Sequence, residues 1–131
     1  MGWPDRLAYR VNPSFEGEYS VIAEFHPATD SISLRTIPPG PVYGEGRGEQ
    51  TEELAMGSQK YGVVQLVLNE LNDLRLCPVP EGRIGLDGAQ HNLEIVAGSH
   101  RVVYSWWLEL PVQWAGLRAV VRGLEGLLDP R

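Results

Sequence analysis

Apolar and polar positions alternate with a period of two through residues 7 to 37. Leu7, Tyr9 and Val11 alternate with Ala8 and Arg10 before Asn12-Pro13-Ser14 breaks the run. Tyr19, Val21, Ala23 and Phe25 then alternate with Ser20, Ile22, Glu24 and His26. That period belongs to a strand that lays one face on a core. Pro27-Ala28-Thr29-Asp30 carries turn chemistry. Ile32 and Leu34 follow on one face, with Ser33 and Arg35 on the other. The short connection predicts an antiparallel hairpin from the second and third strands.

Further along, the period lengthens. Val64, Val67, Leu68 and Leu71 fall at i, i+3, i+4 and i+7, one face of a helix. Leu74 extends that stripe, and Pro78 and Pro80 end it. Upstream, Thr51 is positioned to cap a helix start, with Glu52 and Glu53 in its first turn. Gly57 and Gly62 interrupt the pattern between the two. Residues 38–50 read as a flexible Pro/Gly-rich loop, and 81–92 as a second loop. His91 to Val96 and Arg101 to Leu108 then predict a second hairpin across Ala97-Gly98-Ser99. Pro111 sits near the start of a final helix, where a missing N–H costs little. Its stripe runs through Trp114, Leu117, Val120, Val121, Leu124, Leu127 and Leu128. Burying those aliphatic side chains at ~1.5–3 kcal/mol each gives roughly 10 kcal/mol or more of gross stabilisation. The expected architecture is a single α+β domain over 1–131, ordered β-β-β-α-β-β-α. Its sheet is mainly antiparallel, with two Leu-rich helices on one face.

The formal net charge of -6 and sequence pI of about 5.0 change the list of partners. A general nucleic-acid binder needs a basic surface to displace counterions from phosphates, so that class is excluded. Attraction to a basic protein is permitted. Cys77 is the single cysteine, in the apolar setting Leu76-Cys77-Pro78-Val79, so no internal disulfide forms. The N-terminus shows no charged start followed by an apolar run, and no apolar stretch approaches the ~18 residues of a membrane span. The expected location is cytoplasmic, with no membrane partner.

No residue pattern announces catalysis. His26, His91 and His100 form no HxH, HxxxH or HExxH spacing, although His91 and His100 are expected to approach each other across the second hairpin. No GxSxG elbow is present. Gly98-Ser99-His100 places serine and histidine on opposite strand faces. Glu16 and Glu18 read as exposed carboxylates on a loop. Gly44-Glu45-Gly46-Arg47-Gly48 lacks both the Rossmann spacing and the Gly-Lys-Ser/Thr of a phosphate loop. Neither metal nor cofactor is expected. Of the paired tryptophans, Trp106 is assigned to the core. Trp107 either packs under a helix or stands exposed as an interface anchor. Glu45, Glu49, Glu52 and Glu53 form an acidic segment, read either as a solvated loop and helix start or as a docking patch.

The segment from about Val63 to Leu128 resembles a C-terminal module of small uncharacterised bacterial proteins. The shared features are the Leu-rich helix, the Pro-rich stop, and Leu86-Asp87-Gly88 leading into a strand. Trp106-Trp107, then Pro111 and Trp114 opening a Leu-rich helix, complete the likeness. Some such proteins are encoded beside toxins, which implies an immunity role and assigns no ligand residues. Ala89-Gln90-His91 departs from the usual pattern, where a small polar residue and Tyr stand.

Together these readings give an expected function: a non-enzymatic immunity protein that binds and neutralises a basic toxin. Its tentative contact residues are Glu45, Glu49, Glu52, Glu53 and Trp107. A homo-oligomer remains open. One alternative is a structural or adaptor subunit of a larger assembly. The other is a small-ligand binder or minor hydrolase, with Tyr104, Trp107 or His91 in a pocket wall.

Overall fold

Among the described residues, six antiparallel strands form one sheet in the order β4-β3-β2-β1-β5-β6. The computed structural model describes residues 3–13, 17–39, 48–72, 89–107 and 109–128. The strands are β1 (Arg6–Pro13), β2 (Tyr19–His26), β3 (Ser31–Ile37), β4 (Gln50–Ala55), β5 (Ala89–Ala97) and β6 (His100–Trp107). Two helices, α1 (Gln59–Asn72) and α2 (Arg118–Gly126), cover one face. The first four strands make a meander. The final hairpin then joins the free side of β1 and leaves β4 and β6 as the edges.

Register turns the alternation into a core. Leu7 stands between Ala23 and Ile95, and Tyr9 between Val21 and Leu93. Ile32 stands between Phe25 and Leu54. These residues share the face against which Val64, Val67 and Leu68 of α1 and Val120 and Leu124 of α2 pack. Trp114 and Leu117, in a 3-10 turn over Val112–Leu117, continue the α2 stripe into the same cluster. Trp106 is in that core, stacked on His91 with ring centroids 5.3 Å apart.

Two turns show why particular residues stand where they do. Gly98, the first residue between β5 and β6, has φ 61°, a region open to glycine at little cost. The Asp5 carboxylate accepts its N–H at 2.7 Å and holds the hairpin end to the start of β1. Between β2 and β3, Asp30 takes φ 51° and closes the turn begun by Pro27.

The meander is one strand longer than the sequence pattern implies, so the order is β-β-β-β-α-β-β-α. Thr51 caps no helix: it lies in β4, opposite Arg35. The helix begins eight residues later, and the Ser58 hydroxyl accepts the Tyr61 N–H at 3.3 Å, as an N-cap does. Pairing with β3 overrides the helical preference of Glu52 and Glu53. Of the expected 38–50 loop, Gln50 is already strand, and residues 40–47 lie outside the described residues. So do Glu16, Glu45, Leu74, Cys77, Pro78, Pro80, Leu86-Asp87-Gly88 and Leu108. Among the described residues, no helix is long and apolar enough to cross a membrane.

Candidate partner-binding surface

The strand residues that point away from the helices make a second face of mixed polar and apolar character, and the registers define its layout. Arg6, Ala8 and Arg10 of β1 are flanked by Glu24, Ile22 and Ser20 of β2 and by Val96, Glu94 and Asn92 of β5. Ser33 and Arg35 of β3 continue the row toward Glu53 and Thr51 of β4. On the far side, Arg101, Val103, Ser105 and Trp107 belong to β6. Two charged constellations result.

The first is centred on Glu94, whose carboxylate is buried among the strands. Arg6 donates from Nη2 to Oε1 at 2.7 Å, and Arg101 donates from Nε to Oε2 at 2.5 Å. Burial pushes the Glu94 carboxyl up, but the hydrogen bonds and charges of Arg101 and Arg6 outweigh it and hold the group below its ordinary value. A carboxylate depressed in the folded state stabilises the fold above its unfolded pKa of about 4.3. That contribution is lost as pH falls through the lower, folded value. Glu94→Gln is therefore expected to lower the urea midpoint at pH 7 and to narrow its gap from the wild type near pH 3. An equal gap at both values would remove Glu94 from the acid response. Charge pairing makes this cluster internally satisfied apart from the buried Arg6 Nε, which has no hydrogen-bond partner among the described residues.

The second constellation is a recess of about 370 Å³ over β2, β3 and β4. Ile22 supplies an apolar part of its wall, and Ser33 and Thr51 supply hydroxyls. Glu24, Glu49 and Glu53 put three carboxylates in the wall against the single guanidinium of Arg35. Arg35 Nε lies 3.2 Å from Glu49 Oε1, with both side chains close to half exposed. Ser33 donates its hydroxyl proton to Glu53 at 2.5 Å. The 2.7 Å contact between Ser33 Oγ and His26 Nε2 must therefore be donated by His26, because a hydroxyl has one proton to give. Among the described residues, the Glu24 carboxylate makes no hydrogen bond or ion pair, although Arg6 stands opposite it on β1. The recess thus holds more negative charge than it neutralises and is open to solvent.

The sequence candidates divide around this recess. Glu49 and Glu53 line it. Glu52 points to the opposite face, where Lys60 Nζ meets it at 2.7 Å. Trp107 lies on the same face as the recess but on β6, at the other edge of the sheet. With strands ~4.8 Å apart, three to five strand spacings separate it from the residues of the recess, roughly 14–24 Å. It is half-buried on the face without helices, so it does not pack under one. Glu45 lies outside the described residues. Sequence reading missed Glu24, Ser33, Arg35 and Thr51. Glu24 is legible as an outward-facing strand carboxylate, but only the two registers align it with Glu53 of β4, with Ser33 of β3 between them.

Histidine and carboxylate do converge, but on a buried phenol. Tyr9 OH lies 2.9 Å from His91 Nδ1 and 3.3 Å from Glu125 Oε1. Burial, then the neighbouring Glu125 charge, pushes the phenol well above its ordinary range, so Tyr9 stays protonated. Its proton goes to Glu125, which makes His91 Nδ1 the donor of the other bond. Tyr9 is fully buried, and the acidic recess is not lined by Tyr9, His91, Trp106 or Glu125. The cluster ties α2 to the sheet. His91 faces Trp106 across the hairpin, and His100 faces Ala97, so the two histidines do not meet as the sequence suggested. Among the described residues, no three His, Cys, Asp or Glu side chains gather as metal ligands.

A larger groove, about 690 Å³, runs between α1 and the sheet end at Trp3, Pro4 and Ile95. Leu66, Leu68 and Leu71 make it apolar, and Gln65 and Asn69 provide amides. No ionisable side chain lines it among the described residues, and neither Tyr104, Trp107 nor His91 stands in its wall. It offers burial and hydrogen bonding but no group for proton transfer. No protein-family model matches this chain, and no curated protein matches it.

Proposed function

We propose that the protein is a non-catalytic binding module of the immunity type, which docks its acidic recess on a basic surface of a toxin and blocks it. The observation that carries this reading is the excess carboxylate in the recess, with Glu24 uncompensated. A lysine or arginine of the partner entering the recess would meet Glu24 and Glu53 in charge-assisted hydrogen bonds. The net charge of -6 adds long-range attraction. Toxins that act on nucleic acid carry basic sites, so an acidic cover needs only a rigid scaffold and roughly 800 Å² of matching surface. The resemblance of the C-terminal half to small uncharacterised bacterial proteins, some of them encoded beside toxins, supports the same reading.

Co-expression tests it. A toxic protein encoded beside this chain should arrest growth by itself and be tolerated when the chain is present. Glu24→Lys with Glu53→Lys should abolish protection while the circular dichroism spectrum and melting temperature stay near the wild type, because both positions are solvent-exposed. Neighbouring genes whose products are harmless, or protection untouched by the double reversal, would contradict the proposal.

The apolar groove favours a second reading, a binder of a small apolar ligand with amide-bonding groups. Quenching of Trp3 fluorescence by such a ligand, lost in Leu66→Asp, is the result that reading requires.

A further inference from the structure

The sheet ends in two edges of opposite character. β4 carries Glu52 and Glu53, with Glu49 just before it, so pairing with its own copy would bring like charges together. β6 carries no carboxylate, and the guanidinium of Arg101 is already engaged by Glu94. Among the described residues, no strand pairs with the outer side of β6. Val102 and Val103 are consecutive, so they point to opposite faces, yet they are 45% and 44% exposed. Apolar side chains open to water on both faces of an edge that no described strand covers are the reverse of what keeps such strands apart.

We propose that β6 is a dimerisation edge, pairing antiparallel with β6 of a second copy about a two-fold axis through Val103. Symmetry restricts the register. A two-fold axis normal to the sheet keeps the helices of both copies on one side, so each residue must face one of equal parity. With Val103 on the axis it faces Val103 of the partner subunit. Val102 then faces Tyr104 of the partner subunit, and Arg101 faces Ser105 of the partner subunit. Both exposed valines gain apolar cover, and no two charges of one sign stand opposite each other. The two sheets become one continuous sheet, with the acidic recesses at its far ends and still accessible. This inference does not depend on what the recess binds.

Sedimentation equilibrium and cysteine cross-linking test it. The wild-type chain is expected at twice its 14.5 kDa mass at high concentration and to dissociate on dilution. Val103→Lys should weaken association at least roughly tenfold, since two ammonium groups would meet on the axis. Its melting profile at low concentration should be unchanged. In a Cys77→Ser background, Val103→Cys should form an intersubunit disulfide on mild oxidation, because self-facing residues sit within disulfide reach. Val112→Cys, at an 88% exposed position outside the edge, should not. A monomer mass at concentrations up to about 1 mM would overturn the proposal. Cross-linking through Tyr104→Cys in place of Val103→Cys would overturn the axis.

Discussion

Replacing Leu124 with alanine is expected to lower the free energy of unfolding by about 2–5 kcal/mol, read as a fall in the urea midpoint at constant slope. Leu124 is fully buried in α2, inside the cluster formed by the sheet and α1. Its removal forfeits both the transfer of the side chain from water and the contacts around the void. A domain of this size is stable by only about 5–15 kcal/mol in total, so the loss is a large share. Leu66→Ala is the matched control: the same residue type, 66% exposed on α1, should cost less than about 0.5 kcal/mol. Similar midpoints for the two variants would mean that α2 is not docked as described.

The next largest effect is expected where Gly123 of α2 faces Val67 of α1. A methyl group added to Gly123 of α2 would stand 2.6 Å from Cγ2 of Val67 on α1, too close for two carbons. Alanine improves helix propensity over glycine by about 1 kcal/mol, which opposes the clash. Overpacking costs about 1–3 kcal/mol, and Val67 cannot easily turn aside, because it is buried and β-branched side chains keep one χ1 in a helix. The clash should win, so Gly123→Ala destabilises. Val67→Ala also destabilises by leaving a cavity. Combined, the two should cost at least about 1 kcal/mol less than their sum, since each relieves the other. Additivity within about 0.5 kcal/mol would show that the helices do not approach there.

Much of this arrangement is legible from the chain because local pattern and tertiary packing agree. The alternations at Leu7–Val11, Tyr19–His26 and Ile32–Arg35 become β1, β2 and β3, with the named apolar residues inward. Val64, Val67 and Leu68, and then Leu117, Val120 and Leu124, are buried as their helical spacing requires. β4 is not legible for a physical reason. Only Leu54 of Gln50–Ala55 is buried, and the others are exposed edge positions that carry no alternation signal. Glutamate favours helices, so local preference points the wrong way until β3 supplies a hydrogen-bonding partner.

The candidate recess was half legible. Net acidity and the Glu49 to Glu53 segment point to β4 and the residues before it, and Glu49 and Glu53 of that segment line the recess. The helical reading, however, put Glu52 and Glu53 on one turn. A strand sends them to opposite faces, so Glu52 meets Lys60 while Glu53 joins Glu24 across two strand pairings. Long-range register has no signature in a single sequence. Trp107 illustrates the same limit: its parity relative to Trp106 was readable, but its distance from the acidic residues depended on strand order.

The most direct test of a surface-borne function is amide hydrogen exchange of the chain, free and bound to a toxic protein encoded beside it. Slowed exchange centred on Glu24, Ser33, Arg35, Thr51 and Glu53 is the predicted footprint. Protection confined to the groove beside Leu66 and Asn69, with the acidic strands unchanged, would contradict it.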